Sequence, residues 1–143
     1  MAYIKRFDHV GLAVWDVDRA LKVYRDHLGG KVRIYKNVGT TRDYLYTQVE
    51  IGGQRIELIE PVKDTESFLT RFLRRRGEGM HHLTFQVTDI RKASEHYKSV
   101  GVRMVDESYE DPAWKTIFIS PKSTSGVLIQ LYETYPGSPF DHC

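Results

Sequence analysis

Two histidines, a glutamate and a glutamine, His9, His82, Glu57 and Gln130, occupy equivalent places in a chain that repeats itself. An offset of 73 residues carries His9 onto His82, Val14 onto Val87, Asp16 onto Asp89, Ala20 onto Ala93, Tyr24 onto Tyr97, Gly53 onto Gly126 and Glu60 onto Glu133, and it places Glu57 on Gln130. Two imidazoles and two oxygen-bearing side chains, distributed over two copies of one unit, form the pattern of a pseudo-symmetric four-ligand divalent-metal site. One histidine alone on a strand is usually just hydrogen-bonded; four such residues in register carry the metal reading. The donor types suit cobalt, nickel, zinc, manganese or iron(II) better than copper(I). With Glu57 the only anion, a bound divalent ion leaves a net charge of about +1, which favours an anionic substrate.

The elements that must position these residues follow from local pattern. In FDHVGLAVWD, His9, Gly11 and Ala13 alternate with Val10, Leu12 and Val14, and in GMHHLTFQVT, His82, Thr84 and Gln86 alternate with Leu83, Phe85 and Val87. Both read as strands with the histidine on the face of small and polar side chains, while His81 points to the other face. The first strand covers residues 4–15. Asp16 and Asp18 then cap a helix whose Val17, Ala20, Leu21, Tyr24 and Leu28 follow helical spacing, and Gly29-Gly30 stops it. Strands at 31–37 and 43–51 follow, and Gly52-Gly53 turns the second into a hairpin with residues 54–60.

This gives β-α-β-β-β, a module over about residues 5–61. A linker spanning about 62–78 contains a helix at 65–76 with Phe68, Phe72 and Leu73 on one side. A second module over 79–134 repeats the order, with a strand at 79–88, a helix at 89–100 on Ile90, Ala93, Tyr97 and Val100, and strands near 102–107, 114–120 and 126–133. Residues 135–143, with two prolines and a glycine, read as an irregular tail. The fold class is α+β. Helices cover the face of Val10, Leu12, Ile56 and Leu58 and its counterpart Leu83, Phe85, Val127, Ile129 and Leu131, so the opposite faces curl as a cup around a shared interior. His9, Glu57, His82 and Gln130 all fall on that second set, and 143 residues make one domain of two modules.

Composition narrows the partners. The formal charge is only +2, from 21 basic and 19 acidic residues, so no global field calls for nucleic acid or a membrane surface, and a small molecule is the expected partner. The one cysteine, Cys143, is the last residue, which excludes an intramolecular disulfide and fits a reducing compartment. MAYIKRF holds no apolar segment of signal-peptide length and nothing later approaches a membrane span, so the expected location is cytoplasmic.

The segments FDHVGLAV, GGQRIELIEP, FLRRRGEGMHHLTFQV and SPKSTSGVLIQLYE, in that order, resemble the vicinal oxygen chelate superfamily, and within it most of all the methylmalonyl-CoA epimerases. The resemblance spans about residues 7–133. It implies paired βαβββ modules around one divalent ion, with His9, Glu57, His82 and Gln130 as ligands, and an acyl-CoA thioester as substrate. It also implies proton abstraction α to a metal-chelated thioester by way of an enolate. One departure stands out, because the last-strand ligand of these enzymes is usually a glutamate. Glutamine can offer an amide oxygen but is no general base. A second acidic group is expected on the strand leading into the Gly52-Gly53 hairpin. Counting back places it near Leu45, and the nearest carboxylate on that face is Asp43, so Glu57 and Asp43 are the candidate catalytic residues.

Related chemistries stay open at this stage. His9, His82 and Glu57 alone compose the two-histidine, one-carboxylate set of iron(II) dioxygenases, a glyoxalase-I-like lyase uses a similar metal-bound intermediate, and a metal-free small-molecule binding or resistance protein is the non-enzymatic alternative. Arg71, Arg74, Arg75 and Arg76 are candidates for coenzyme A phosphates, Trp114 and Phe118 for the cup mouth, and Asp141-His142-Cys143 for a second metal-like cluster; each is more often plain surface, core or tail. An open sheet edge makes a homodimer the expected assembly.

Overall fold

A computed structural model describes residues 3–141; His142 and Cys143, two of the three residues in the tail cluster, lie outside that range. The described residues group into two compact units, 9–81 and 3–8 with 82–141. The fold is mixed α+β with tandem βαβββ-like modules.

Unit 9–81 takes in the part of β1 (Ile4–Ala13) from His9 onward, then α1 (Val17–Leu21), β2 (Lys31–Val38), β3 (Tyr44–Ile51), β4 (Gln54–Pro61) and α2 (Phe68–Arg76). The strand order is β2-β3-β4-β1. β4 is antiparallel to β3 and parallel to β1, with Gln48 opposite Glu57 in the first pairing and Gly11 opposite Glu57 in the second. The turn that joins β3 to β4 works because Gly52 and Gly53 both take positive φ, 57° and 79°, as a two-residue hairpin of matching twist requires. One face of this sheet packs Leu12, Val49, Ile56 and Leu58 against Val17, Ala20, Leu21 and Tyr24 of the first helical segment. On the other face Ala13, Ile59, Tyr44 and Tyr46 meet Phe68, Leu69, Phe72 and Leu73 of α2.

The first helix departs from the regular spacing expected of it. After α1 the chain widens into a π turn at Lys22–His27, and the amide of Leu28 donates to the carbonyl of Val23 at 2.9 Å. The wider turn rotates Leu28 off the apolar stripe, and it is 56% exposed although its sequence spacing fits the core face. Asp16 caps α1 as expected, accepting from the amides of Asp18 and Arg19. Glu60 adds a cap from β4, since its Oε2 accepts from the amide of Val17 at 2.9 Å.

The other unit takes in β5 (Gly79–Val87) from His82 onward, then α3 (Ile90–Ser99), β6 (Met104–Ser108), β7 (Lys115–Ile119) and β8 (Leu128–Glu133), with strand order β5-β8-β7-β6. Asp89 caps α3 by accepting from the amide of Lys92. Val87, Ile90, Ile117, Ile119 and Leu131 form the buried centre, with Phe85 and Ile129 packed on it. Val127 precedes β8 and is exposed, outside the face expected to hold it. Trp114 stacks on Tyr132 at 4.5 Å between ring centroids and tilts against Phe140, which anchors the otherwise irregular segment after β8. β2 and β6 are edge strands, so the sheet of each unit is open. No helix among the described residues is long and apolar enough to cross a membrane.

Candidate metal centre

His9 lies on β1, Glu57 on β4 and His82 on β5, each at a strand position whose neighbours alternate between apolar and polar faces. One ligand atom from each of the three lies within 4.8 Å of the others. His9 and His82 are only 2% and 7% exposed, and Glu57 is half-buried. The Nε2 of His9 stands 3.6 Å from Oε1 of Glu57. That is too long for a normal hydrogen bond and close to the roughly 3–3.5 Å separating two donors bound about 2.1 Å from one ion. Two imidazoles and one carboxylate, mostly out of water, fit a borderline or hard divalent cation.

Two side chains on the same face of β3 complete the surroundings of Glu57. Gln48 is buried and its Nε2 donates to Oε2 of Glu57 at 3.1 Å. Tyr44 has its hydroxyl pKa raised, first by burial and then by the charge of Glu57, so it remains a protonated phenol. Neither residue stands out from local sequence pattern. Gln48 is nonetheless legible there, because it stands four places before Gly52 as Glu57 stands four places after Gly53, and a two-residue hairpin puts such positions opposite each other.

The remaining expected residues are placed as follows. Gln130 lies on β8, 9% exposed, opposite Thr84 of β5 and Phe118 of β7. Its Oε1 accepts from the hydroxyl of Thr84 at 2.9 Å and its Nε2 donates to Oγ1 of Thr116 at 3.4 Å. Asp43 sits one residue before β3, outside the three-residue cluster, and accepts from the hydroxyl of Thr41. Leu45, where counting back from the hairpin leads, pairs with Glu60. His81 takes the opposite strand face from its neighbour His82 and packs between Phe68 and Phe72, with ring centroids 5.6 and 4.8 Å away. Burial, helped by the charge of Arg76, lowers its pKa to about 4. Among the α2 arginines, Arg74 pairs with Glu66 at 2.6 Å and Arg76 lies over the Phe72 ring.

Comparison with known proteins gives the same direction. The mitochondrial methylmalonyl-CoA epimerase of Mus musculus is 31% identical over 129 residues, covering 88% of this chain and 71% of that protein. The crystal structure of methylmalonyl-CoA epimerase from Mycobacterium tuberculosis superposes with a TM-score of 0.81 at 30% identity, over 95% of this chain and 92% of that one. A methylmalonyl-CoA epimerase solved in complex with methylmalonyl-CoA and NH4+ gives a TM-score of 0.79 at 25% identity, over 96% and 99% of the two chains. The family model described as the Glyoxalase/Bleomycin resistance protein/Dioxygenase superfamily matches residues 8–119. With its tandem modules and its cluster of two histidines and a glutamate, the chain belongs to that superfamily, the vicinal oxygen chelate proteins.

Proposed function

We propose that this protein is a metal-dependent isomerase of the methylmalonyl-CoA epimerase type, moving a proton at the carbon α to an acyl-CoA thioester. The observation that carries the reading is the convergence of His9, Glu57 and His82; similarity to epimerases, one of them solved with methylmalonyl-CoA, supports the substrate class. His9 and His82 offer imidazole nitrogens and Glu57 a carboxylate oxygen to one divalent ion, with the amide oxygen of Gln130 as the fourth donor. When bound, such an ion supplies Lewis-acid stabilisation of the negative charge that develops on a chelated thioester.

The protein's own groups set the rest. The burial of both histidines holds their imidazoles out of bulk water. Glu57 is the one anion in the donor set, so the loaded site keeps about one positive charge for an anionic acyl group. Gln130 has no basic lone pair at its amide nitrogen and takes no proton, which leaves Glu57 and Asp43 as the carboxylates proposed for proton transfer. We also read the working form as one domain over residues 1–143, acting as a cytoplasmic homodimer; the open edge strands β2 and β6 support the dimer, and light scattering on the purified protein tests it.

The test is proton exchange at the α-carbon of methylmalonyl-CoA in deuterated water by metal-loaded protein. Exchange by wild type, lost in His9→Ala and His82→Ala, supports the proposal; absence of exchange with every malonyl-type thioester overturns it. Faster exchange in Gln130→Glu would mark a diverged epimerase. The same two histidines and carboxylate also compose an iron(II) oxygenase set, and oxygen consumption with iron(II) and a catechol or keto acid would move the assignment there. Conversion of the thiol adduct of a 2-oxoaldehyde into the isomeric 2-hydroxyacyl thioester would indicate a glyoxalase-like lyase, and a protein that binds no metal would indicate a small-molecule binding module.

A further inference from the structure

We propose that Gln48 is a positioning residue that makes Glu57 a one-oxygen ligand, fixing Oε1 toward the metal and withholding Oε2 from it. The inference rests on the metal-centre reading above and adds a residue and a coordination mode to it. Each oxygen of the Glu57 carboxylate has its own neighbour: Oε1 faces Nε2 of His9 at 3.6 Å, and Oε2 accepts from Nε2 of Gln48 at 3.1 Å. The amide orientation follows from chemistry, because an ionised carboxylate only accepts hydrogen bonds and Gln48 must turn its NH2 toward it. Cross-strand pairing places the two residues directly opposite on β3 and β4, so the bond is set by the sheet and not by a mobile loop. Gln48 is only 8% exposed, which shields the bond from exchange with bulk water.

The choice of an amide has a purpose. A lysine or arginine at this place would take up the charge that Glu57 must offer to the ion, and a second carboxylate would repel it. Glutamine orients Glu57 and adds no charge. A donor that holds the second oxygen of a ligating carboxylate is the kind of partner whose loss costs about 10–100-fold in metal affinity.

Cobalt(II) titration of metal-free protein, followed by calorimetry and by visible absorption, tests this without any substrate. Gln48→Met keeps length and apolar bulk but removes the donor. It should bind cobalt about 10–100-fold more weakly and shift the visible bands, because Glu57 is then free to chelate with both oxygens. In a Glu57→Gln background the same change should add no further loss, the signature of a role exerted through Glu57. If Gln48→Met does not fold, Gln48→Asn, one methylene too short to reach Oε2, should show the same loss. Binding by Gln48→Met within twofold of wild type with an unchanged spectrum, or an equal loss in the Glu57→Gln background, overturns the inference. In that case a loss of binding in His9→Ala would leave the metal centre standing, whereas a wild type that binds no cobalt overturns both.

Discussion

The hydroxyl of Thr84 on β5 donates to the amide oxygen of Gln130 on β8 across a parallel strand pair, at 2.9 Å. Thr84 is fully buried and Gln130 nearly so. With the amide oxygen toward Thr84, the NH2 group is directed to the hydroxyl of Thr116. Thr84→Val keeps the shape and deletes the donor, leaving a buried oxygen one partner short. A loss of about 1–3 kcal/mol is expected in urea unfolding, and a smaller loss in a Gln130→Leu background. Equal losses in both backgrounds would show that the two side chains are not coupled.

Added divalent metal should stabilise the folded chain. A ligand that binds only the folded state raises the melting temperature, by about 2.7 kcal/mol of stability at a hundredfold excess over its Kd. Thermal scans with and without cobalt or nickel should show a rise in wild type that His82→Ala abolishes and Glu57→Gln reduces. Asp43 lies outside the three-residue cluster, so Asp43→Asn should keep the metal-dependent rise. A fall in proton exchange in that variant would then report proton transfer alone.

Glu107 on β6 introduces a pH dependence of its own. Hydrogen bonds from Lys98, Ser94 and Tyr109, in that order, lower its pKa from 4.5 to about 2. The folded state thus holds this group ionised where the unfolded chain protonates it. Its contribution is fully present above pH 4.5 and is lost as pH falls toward 2. Glu107→Gln should therefore reduce stability at neutral pH and narrow its difference from wild type progressively between pH 4.5 and 2, measured by thermal unfolding of metal-free protein. A constant difference across that range would show that the carboxylate's charge is not what the bonds stabilise.

Leu58 and Leu131 occupy matching places in the two cores, each essentially without solvent exposure. Leu58→Ala and Leu131→Ala should each cost about 2–5 kcal/mol, from lost burial and the cavity left behind. Denaturant midpoints check this, and a cost under about 1 kcal/mol at either position would mean that its core collapses to fill the space.

Much of the fold is legible in the sequence. Periodicity alone locates the eight strands and the helices capped by Asp16 and Asp89, since their apolar faces and glycine stops are local signals. The 73-residue offset places His9 and His82 on equivalent strands and separates His82 from His81, because strand alternation assigns faces by parity. Local pattern does not reveal the π turn that rotates Leu28 outward, since spacing by 3.6 residues presumes that the turn width never changes. The bond between Gln48 and Glu57 needs cross-strand counting through the glycine turn. Counting along β3 alone leads to Leu45, which pairs with Glu60 instead.

Glu60 has a wider consequence than the cap it makes on α1. From β4 it holds the amide of Val17 and, through Oε1, the ammonium of Lys36 on β2, while Lys36 also binds Asp18 in the first turn of α1. A helix start, a central strand and an edge strand thereby share one buried carboxylate. In native-state hydrogen exchange these three segments should open together as one cooperative unit, and Glu60→Gln should lower their protection jointly while leaving the amides of α3 as slow as before. The edge strand would then exchange on the timescale of the sheet's interior, held there by a side chain two strands away.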